Sequence, residues 1–385
     1  MHKITVIISV AITLLVLAGV HFSGLYYSDS GLHDSRRISI KVMPGATFNQ
    51  VQEDLVDKGI ITRPNVFRWA AWLTRRETKI HTGRYLFRQG ESVSSVLGKL
   101  VSGAVDYTRV MIPEGLMVTE IASVLLRELE VDSAAVVEAA GDSAFIANLG
   151  IAAPSLEGYL FPDTYMFEWP LEPRDALKRI VHRFYRVYGA SVGALPDSLD
   201  MTMNEIVTLA SIIQAEAVYN SEMPRISAVY HNRLRENWRL EADPTVAYAL
   251  GGRKRRLWYK DLKVKSPYNT YRVRGLPPGA ICNPGRAALA AAAAPMPGSL
   301  EYYFVADGKG RHKFSKTYYE HLKAKHLIRY GPVPAEMKQK SYYEASGMEE
   351  KVAEKKEDSG NHPAGAGDGS DSEGDGSGED ETDSD

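Results

Sequence analysis

Residues 209–245 read LASIIQAEAVYNSEMPRISAVYHNRLRENWRLEADPT. The stretch ends a helical run on a single carboxylate, Glu216. Ile206, Val207, Leu209, Ala210, Ile212 and Ile213 leave that run no wet face. A helix apolar all round is buried in a core. The spacing predicts a helix over 204–217, a break at Tyr219 and Asn220, and a second helix over 222–237. Met223, Ile226, Val229, Tyr230 and Leu234 give the second helix a core face, and Arg233 and Arg235 are expected at its surface. A carboxylate at the end of a buried helix borders low-dielectric protein, which disfavours its charged form and raises its pKa. A carboxylic acid protonated near neutral pH can donate to a leaving oxygen. The plain alternative is that Glu216 faces solvent where its helix ends.

Toward the N-terminus, residues 4–20 (ITVIISVAITLLVLAGV) are uncharged and strongly apolar. Continued to Tyr27, the run is long enough to cross a bilayer. The expected order is a cytoplasmic N-terminus of residues 1–3, a transmembrane helix over 4–27, and a polar linker over 28–37. Tyr26 and Tyr27 would mark the far interface. A cleaved signal peptide is the alternative, against which the apolar run is long. The body is therefore expected on the extracytoplasmic side of the plasma (inner) membrane, with a single-pass anchor.

Three similar units follow: ISIKVMPGATFNQVQEDLVDKGI (38–60), GRYLFRQGESVSSVLGKLVSG (83–103) and TRVMIPEGLMVTEIASVLLRE (108–128). Each has a short strand, a glycine turn and a helical pattern, with Thr47 and Ser92 placed as N-caps. They suggest a small α+β module over 38–130. A larger mixed α/β domain is expected over 131–335, so the fold class is α+β. Within it, 132–150 reads as helical and 174–190 as a basic helix. The aromatics of LEGYLFPDTYMF (156–167) read as core or as a wall for sugar rings. Residues 266–285 form a long shaped loop with four prolines and three glycines. An Ala-rich helix (286–294), a strand (302–308) and a last helix (316–329) follow.

The net charge of −2 conceals a segregation. Residues 357–385 hold eleven acids and no Lys or Arg, so the preceding 356 residues carry +9. A basic body suits an anionic surface or polymer. No zinc-finger spacing or aromatic RNA-binding signature is present, and nucleic acid is not an expected partner. The polar, acidic end (346–385) lacks the apolar surface to fold and is expected to be disordered. The one cysteine, Cys282, excludes an intrachain disulfide and a thiolate cluster. No GxGxxG, P-loop or HExxH pattern occurs, and no histidines are paired as ligands, so neither a cofactor nor a metal is expected. Carboxylate chemistry in a groove remains, with Glu216, Glu222 and Asp243 as the nearby acids.

LASIIQAEA, AVYHNRL, LEADPTVAYALG, SPYNTYRVRGLPPGAICNPG, YYFVADGKGRHKFS and LEGYLFPDTYMF together resemble the YceG-like (MltG) family of endolytic murein transglycosylases. The match in order and spacing covers roughly residues 38–330. It implies a LysM-like module near the N-terminus and a lytic transglycosylase that cleaves inside nascent peptidoglycan strands. The products would end in 1,6-anhydro-N-acetylmuramic acid, and the enzyme could terminate glycan elongation. The resemblance points to peptidoglycan glycan strands as substrate and to cell-wall synthases as partners. The family's catalytic glutamate, the second acid of an E-K-E-T-like segment, falls on Glu216. The first acid is Gln214 here and the threonine is Ala217. Candidate substrate contacts are Glu222, Asn232, Asp243, Tyr268 and Asn269. Asp243 and Asn232 could equally serve a turn and a backbone bond. The other function to weigh is a membrane-anchored peptidoglycan-binding protein without catalysis.

Overall fold

The computed structural model describes residues 2–29, 37–193, 199–252 and 257–332. Helix α1 (His2–Tyr27) carries the N-terminal apolar run. Lys3–Tyr27 is long and apolar enough to cross a membrane. The side chains from Ile4 to Val20 stand exposed, and only the last turns pack, through Phe22 and Tyr26. The acidic segment 346–385 and most of the expected linker lie outside the described residues.

A first core gathers β1 (Arg37–Val42), α2 (Phe48–Asp57), α3 (Pro64–Leu73), β2 (Gly83–Arg88) and α4 (Val93–Ser102). β1 and β2 pair antiparallel, with Ile40 opposite Tyr85 and Ile38 opposite Phe87. Period-two alternation turns Ile40, Val42, Tyr85 and Phe87 inward. Thr47 forms a capping box with Gln50, and Ser92 caps α4. Helix α3 has no counterpart among the sequence expectations. Pro64 supplies its preset first turn, and Phe67, Ala70 and Ala71 bury its inner face.

The third strand–turn–helix unit forms as expected, as β3 (Thr108–Met111) and α5 (Val118–Leu129). It does not join the first core. β3 runs antiparallel to a later strand, and Val110, Ile121 and Leu125 pack into a second, larger core. Packing therefore moves the expected module boundary from residue 130 to about Val105. The helical stretch 132–150 is two helices, α6 (Ser133–Gly141) and α7 (Ser143–Asn148). Asp142 splits them by accepting from the amides of Ala144 and Phe145.

Strand β4 (Thr164–Phe167) is the partner of β3. Tyr159, Phe161, Tyr165 and Phe167 are all buried, so the aromatic cluster is core. Gly158 turns this segment with φ +92, and a Cβ there would stand 2.5 Å from Ala280 Cβ and 2.6 Å from Val207 Cγ1. Only glycine allows that approach. Helix α8 (Pro173–Val192) buries Leu177, Ile180, Val181 and Phe184 and turns its basic residues outward. Helix α9 (Met203–Glu216) is buried at every position from Ile206 to Ile213. Each of its buried Ile, Val and Leu side chains contributes about 1.5–3 kcal/mol, which makes α9 the axis of this core.

α10 (Met223–Arg235), the short α11 (Asp243–Ala249) and α12 (Arg286–Ala293) pack on α9. Ala288, Ala291, Ala292 and Ala293 of α12 are buried, and their small side chains let it lie close to α8, α9 and α10. A hairpin of β5 (Tyr303–Ala306) and β6 (His312–Ser315) lies against α10, with Tyr230 edge-on to Phe304. α13 (Tyr318–Tyr330) begins in the first of two units, which ends at His321, and continues into the second.

Candidate active site

A cavity of about 450 Å³ opens where α9 ends. Glu216 and Asp243 both line it, together with Glu114, Met117, Tyr248 and Cys282. The long loop is fastened to α9 from several sides. Ser211 Oγ donates to Thr208 O at 2.7 Å and accepts the Ile281 amide at 3.0 Å. The Gly285 amide donates to Gln214 Oε1 at 2.9 Å. Gln214 therefore braces the loop through a neutral carbonyl oxygen.

Beneath the wall, Asn283 is fully buried. Its Oδ1 accepts the amides of Gly158 at 2.9 Å and Leu160 at 2.8 Å. Its Nδ2 donates to Leu116 O and to Glu157 Oε1, each at 2.9 Å. One amide side chain thus joins the approach to α5, the 157–160 turn and the loop.

α9 carries Glu216 to the cavity edge, and the chain reversal after it returns α10 alongside. Tyr230 Oη donates to Glu216 Oε1 at 3.2 Å. Burial first, and then the Asp243 charge, push the Glu216 pKa up to about 7 against the opposing Tyr230 hydrogen bond and Arg233 charge. The carboxyl keeps an opening to the cavity while protein surrounds it elsewhere. Burial and the neighbouring Glu216 push the Tyr230 phenol well up, so it stays a donor. Asp243 starts α11 and accepts from Tyr271 Oη at 2.6 Å. The Tyr271 phenol is also raised, first by burial and then by Asp243.

Four expected substrate contacts lie elsewhere. Asn232 is buried on α10 and donates to Ser299 O at 3.0 Å and Glu301 O at 2.9 Å. Both of its N–H groups therefore hold the chain ahead of β5. Asn269 is fully buried, donates to Leu262 O and Val264 O, and accepts the Tyr271 amide. It shapes the loop from inside. Glu222 accepts from the His312 amide at 3.2 Å and bonds His312 Nδ1 at 3.0 Å, tying α10 to β6. The Tyr268 ring backs the Tyr248 wall, with centroids 4.9 Å apart. Arg233, expected at the surface, is buried and donates to the carbonyls of Tyr302 and Leu240. It is the cation felt by Glu216.

Glu114, Tyr230, Tyr248 and Tyr271 were not singled out for the site. Tyr230 follows the apolar spacing of α10, and nothing local separates a core tyrosine from one that touches a carboxylate. Glu114 lies in the turn before α5, more than 100 residues from Glu216 in sequence. Among the described residues, no three His, Cys, Asp or Glu side chains group as metal ligands.

The YceG-like family model matches residues 40–326. The chain belongs to the YceG-like family. An endolytic murein transglycosylase of Bacillus subtilis is 30% identical over 331 residues, covering 81% of this chain and 90% of that protein. One from Streptococcus pneumoniae R6 is 24% identical, covering 80% of this chain and 62% of that protein. The crystal structure of a yceG-like protein from Listeria monocytogenes superposes with a TM-score of 0.53 at 31% identity, covering 76% of this chain and 100% of that one. In this YceG-like chain Glu216 stands at the cavity edge, with Asp243 and Glu114 also in the lining.

The Asp243 charge gives a testable coupling. Removing a like charge favours ionisation of the carboxyl that remains. Asp243→Asn is therefore expected to lower the Glu216 pKa from about 7. If protonated Glu216 is the active form, the alkaline limb of the pH–rate profile moves to lower pH. The profile of kcat/KM against pH for both proteins checks this, and an unmoved or upward-moved limb contradicts the coupling.

Proposed function

We propose that this chain is an endolytic murein transglycosylase that uses Glu216 first as general acid and then as general base. The supporting observation is the Glu216 carboxyl, its pKa pushed up to about 7, at the edge of a cavity. Near neutral pH such a group populates both of the forms the cycle needs.

The protonated carboxyl gives its proton to the oxygen linking N-acetylmuramic acid to N-acetylglucosamine. The C1–O bond breaks, its electron pair leaves with that oxygen, and positive charge develops at C1. The Glu216 carboxylate then takes the proton of the C6 hydroxyl of the same muramyl residue. O6 attacks C1 and closes the 1,6-anhydro ring. The returned proton regenerates the acid. No water is consumed, which separates this cycle from two-carboxylate hydrolysis. Tyr230 positions the carboxyl through its hydrogen bond, and Asp243 keeps the acid form populated.

The same reading places α1 in the plasma membrane and the remaining body outside the cytoplasm, where nascent strands emerge. The first core, with its two paired strands and packed helices, serves as the LysM-like module. Cutting nascent strands would terminate their elongation and couple the enzyme to cell-wall synthases.

Mass spectrometry of the products from polymeric peptidoglycan tests the chemistry. Internal fragments ending in 1,6-anhydro-muramyl residues are expected. Reducing ends would show hydrolysis instead. Intact strands that co-sediment with the protein would show a binding module without catalysis.

A further inference from the structure

Among the described residues, no other element covers the outer face of α3. Trp69, Trp72 and Leu73 are 61%, 59% and 67% exposed, while Phe67, Ala70 and Ala71 on the inner face are buried. The two indoles meet edge to face, with centroids 5.7 Å apart. Arg68 of α3, and Arg75 and Lys79 in the chain that follows it, are exposed. Exposed aromatic side chains accompanied by basic ones are the composition of a helix lying in a membrane interface.

The position of α3 favours lipid as the occupant. Arg63, its N-cap, donates to Leu25 O at 3.4 Å and to Ser28 Oγ at 2.8 Å. Those are the last turn of α1 and the residue just after it. Phe22 and Tyr26 of α1 pack on the same core as Val66 of α3. A ten-residue helix is about 15 Å long, so the whole tryptophan face stays near the point where the chain leaves the apolar span. The cations beside it match anionic headgroups, which attract basic groups at a membrane surface.

We infer that α3 docks by Trp69, Trp72 and Leu73 into the headgroup region of an anionic membrane, continuous with the end of α1. This rests on the reading of α1 as a membrane anchor. The contact would hold the first core against the bilayer and restrict how far the body can swing from its anchor.

The test uses the full chain in phosphatidylcholine–phosphatidylglycerol vesicles whose acyl chains carry bromine close to the headgroups. Bromine quenches indole fluorescence only at short range. Wild type is expected to be quenched, and Trp69→Ser/Trp72→Ser is expected to lose at least half of the quenched signal. Carbonate extraction of the same vesicles reports on α1 separately. Protein that resists extraction but shows no quenching dependent on Trp69 and Trp72 overturns the docking while leaving the anchor intact. Protein that carbonate releases removes the anchor reading and the docking with it. Shielding of the two indoles from acrylamide by added glycan strands, but not by vesicles, would make this a sugar-binding face and also overturn the proposal. Both indoles are exposed, so the double variant should fold. The single variant Trp72→Ser, losing about half as much signal, guards against a general collapse of the module.

Discussion

Glu216→Gln is expected to lower the rate of glycan cleavage by ~10²–10⁴, the usual weight of positioned acid–base catalysis. The amide is nearly isosteric and its Oε1 still accepts from Tyr230, so the site keeps its shape. What disappears is the transferable proton and the base that forms once it has gone. Stability should move the opposite way. Burial raises the Glu216 pKa from 4.5 to about 7, so ionising it disfavours the folded state. Wild type therefore loses stability as pH rises from 4.5 through about 7, and the loss is complete once both states are ionised. The glutamine variant escapes that loss and should melt at the same temperature as wild type or higher at pH 8. Single-turnover cleavage and thermal melts on both proteins measure the two effects. A folded variant that cuts at the wild-type rate would falsify the acid–base role.

The largest effect on stability is expected from Asn283→Ala. Asn283 is fully buried and its side chain makes four hydrogen bonds. Alanine leaves the Gly158 and Leu160 amides, one lobe of Glu157 and a Leu116 carbonyl bond without that partner, in a space too enclosed for easy hydration. Each buried group left unsatisfied costs about 1–3 kcal/mol, and neighbours partly compensate, so a net loss of about 4 kcal/mol is expected. For a core of this size that lowers Tm by roughly 10 °C. Activity should fall along with it, because Ile281 and Cys282 line the cavity and sit immediately before this residue. Differential scanning calorimetry gives the shift. A Tm within about 2 °C of wild type, less than the melting shift a single kcal/mol brings to such a domain, would mean the four bonds are replaced by others and the hub is dispensable.

The two predictions differ in how readable their residues were. Glu216 is legible because its signal is local: six apolar residues along one helix determine its environment before any other element is placed. The caps at Thr47 and Ser92, the buried axis helix and the apolar α1 belong to the same class. Asn283 is illegible for the opposite reason. It stands in a Pro/Gly-rich loop, and its partners come from residues 116, 157, 158 and 160. Asn232 and Asn269 misled in the same way, since a loop or helix amide that binds backbone looks in sequence like one that binds sugar.

By itself the sequence determined the apolar span, the positions of most helices, the family and the one acid whose helix buries it. These depend on periodicity, capping and motif order, which are short-range properties of the chain. Only the tertiary structure decided that the third strand–helix unit belongs with the larger core, that Arg233 is buried, and that Tyr230 and Asp243 flank Glu216. Such facts depend on which distant segments meet, and hydrogen bonds and charge effects act through distance in space rather than separation along the chain.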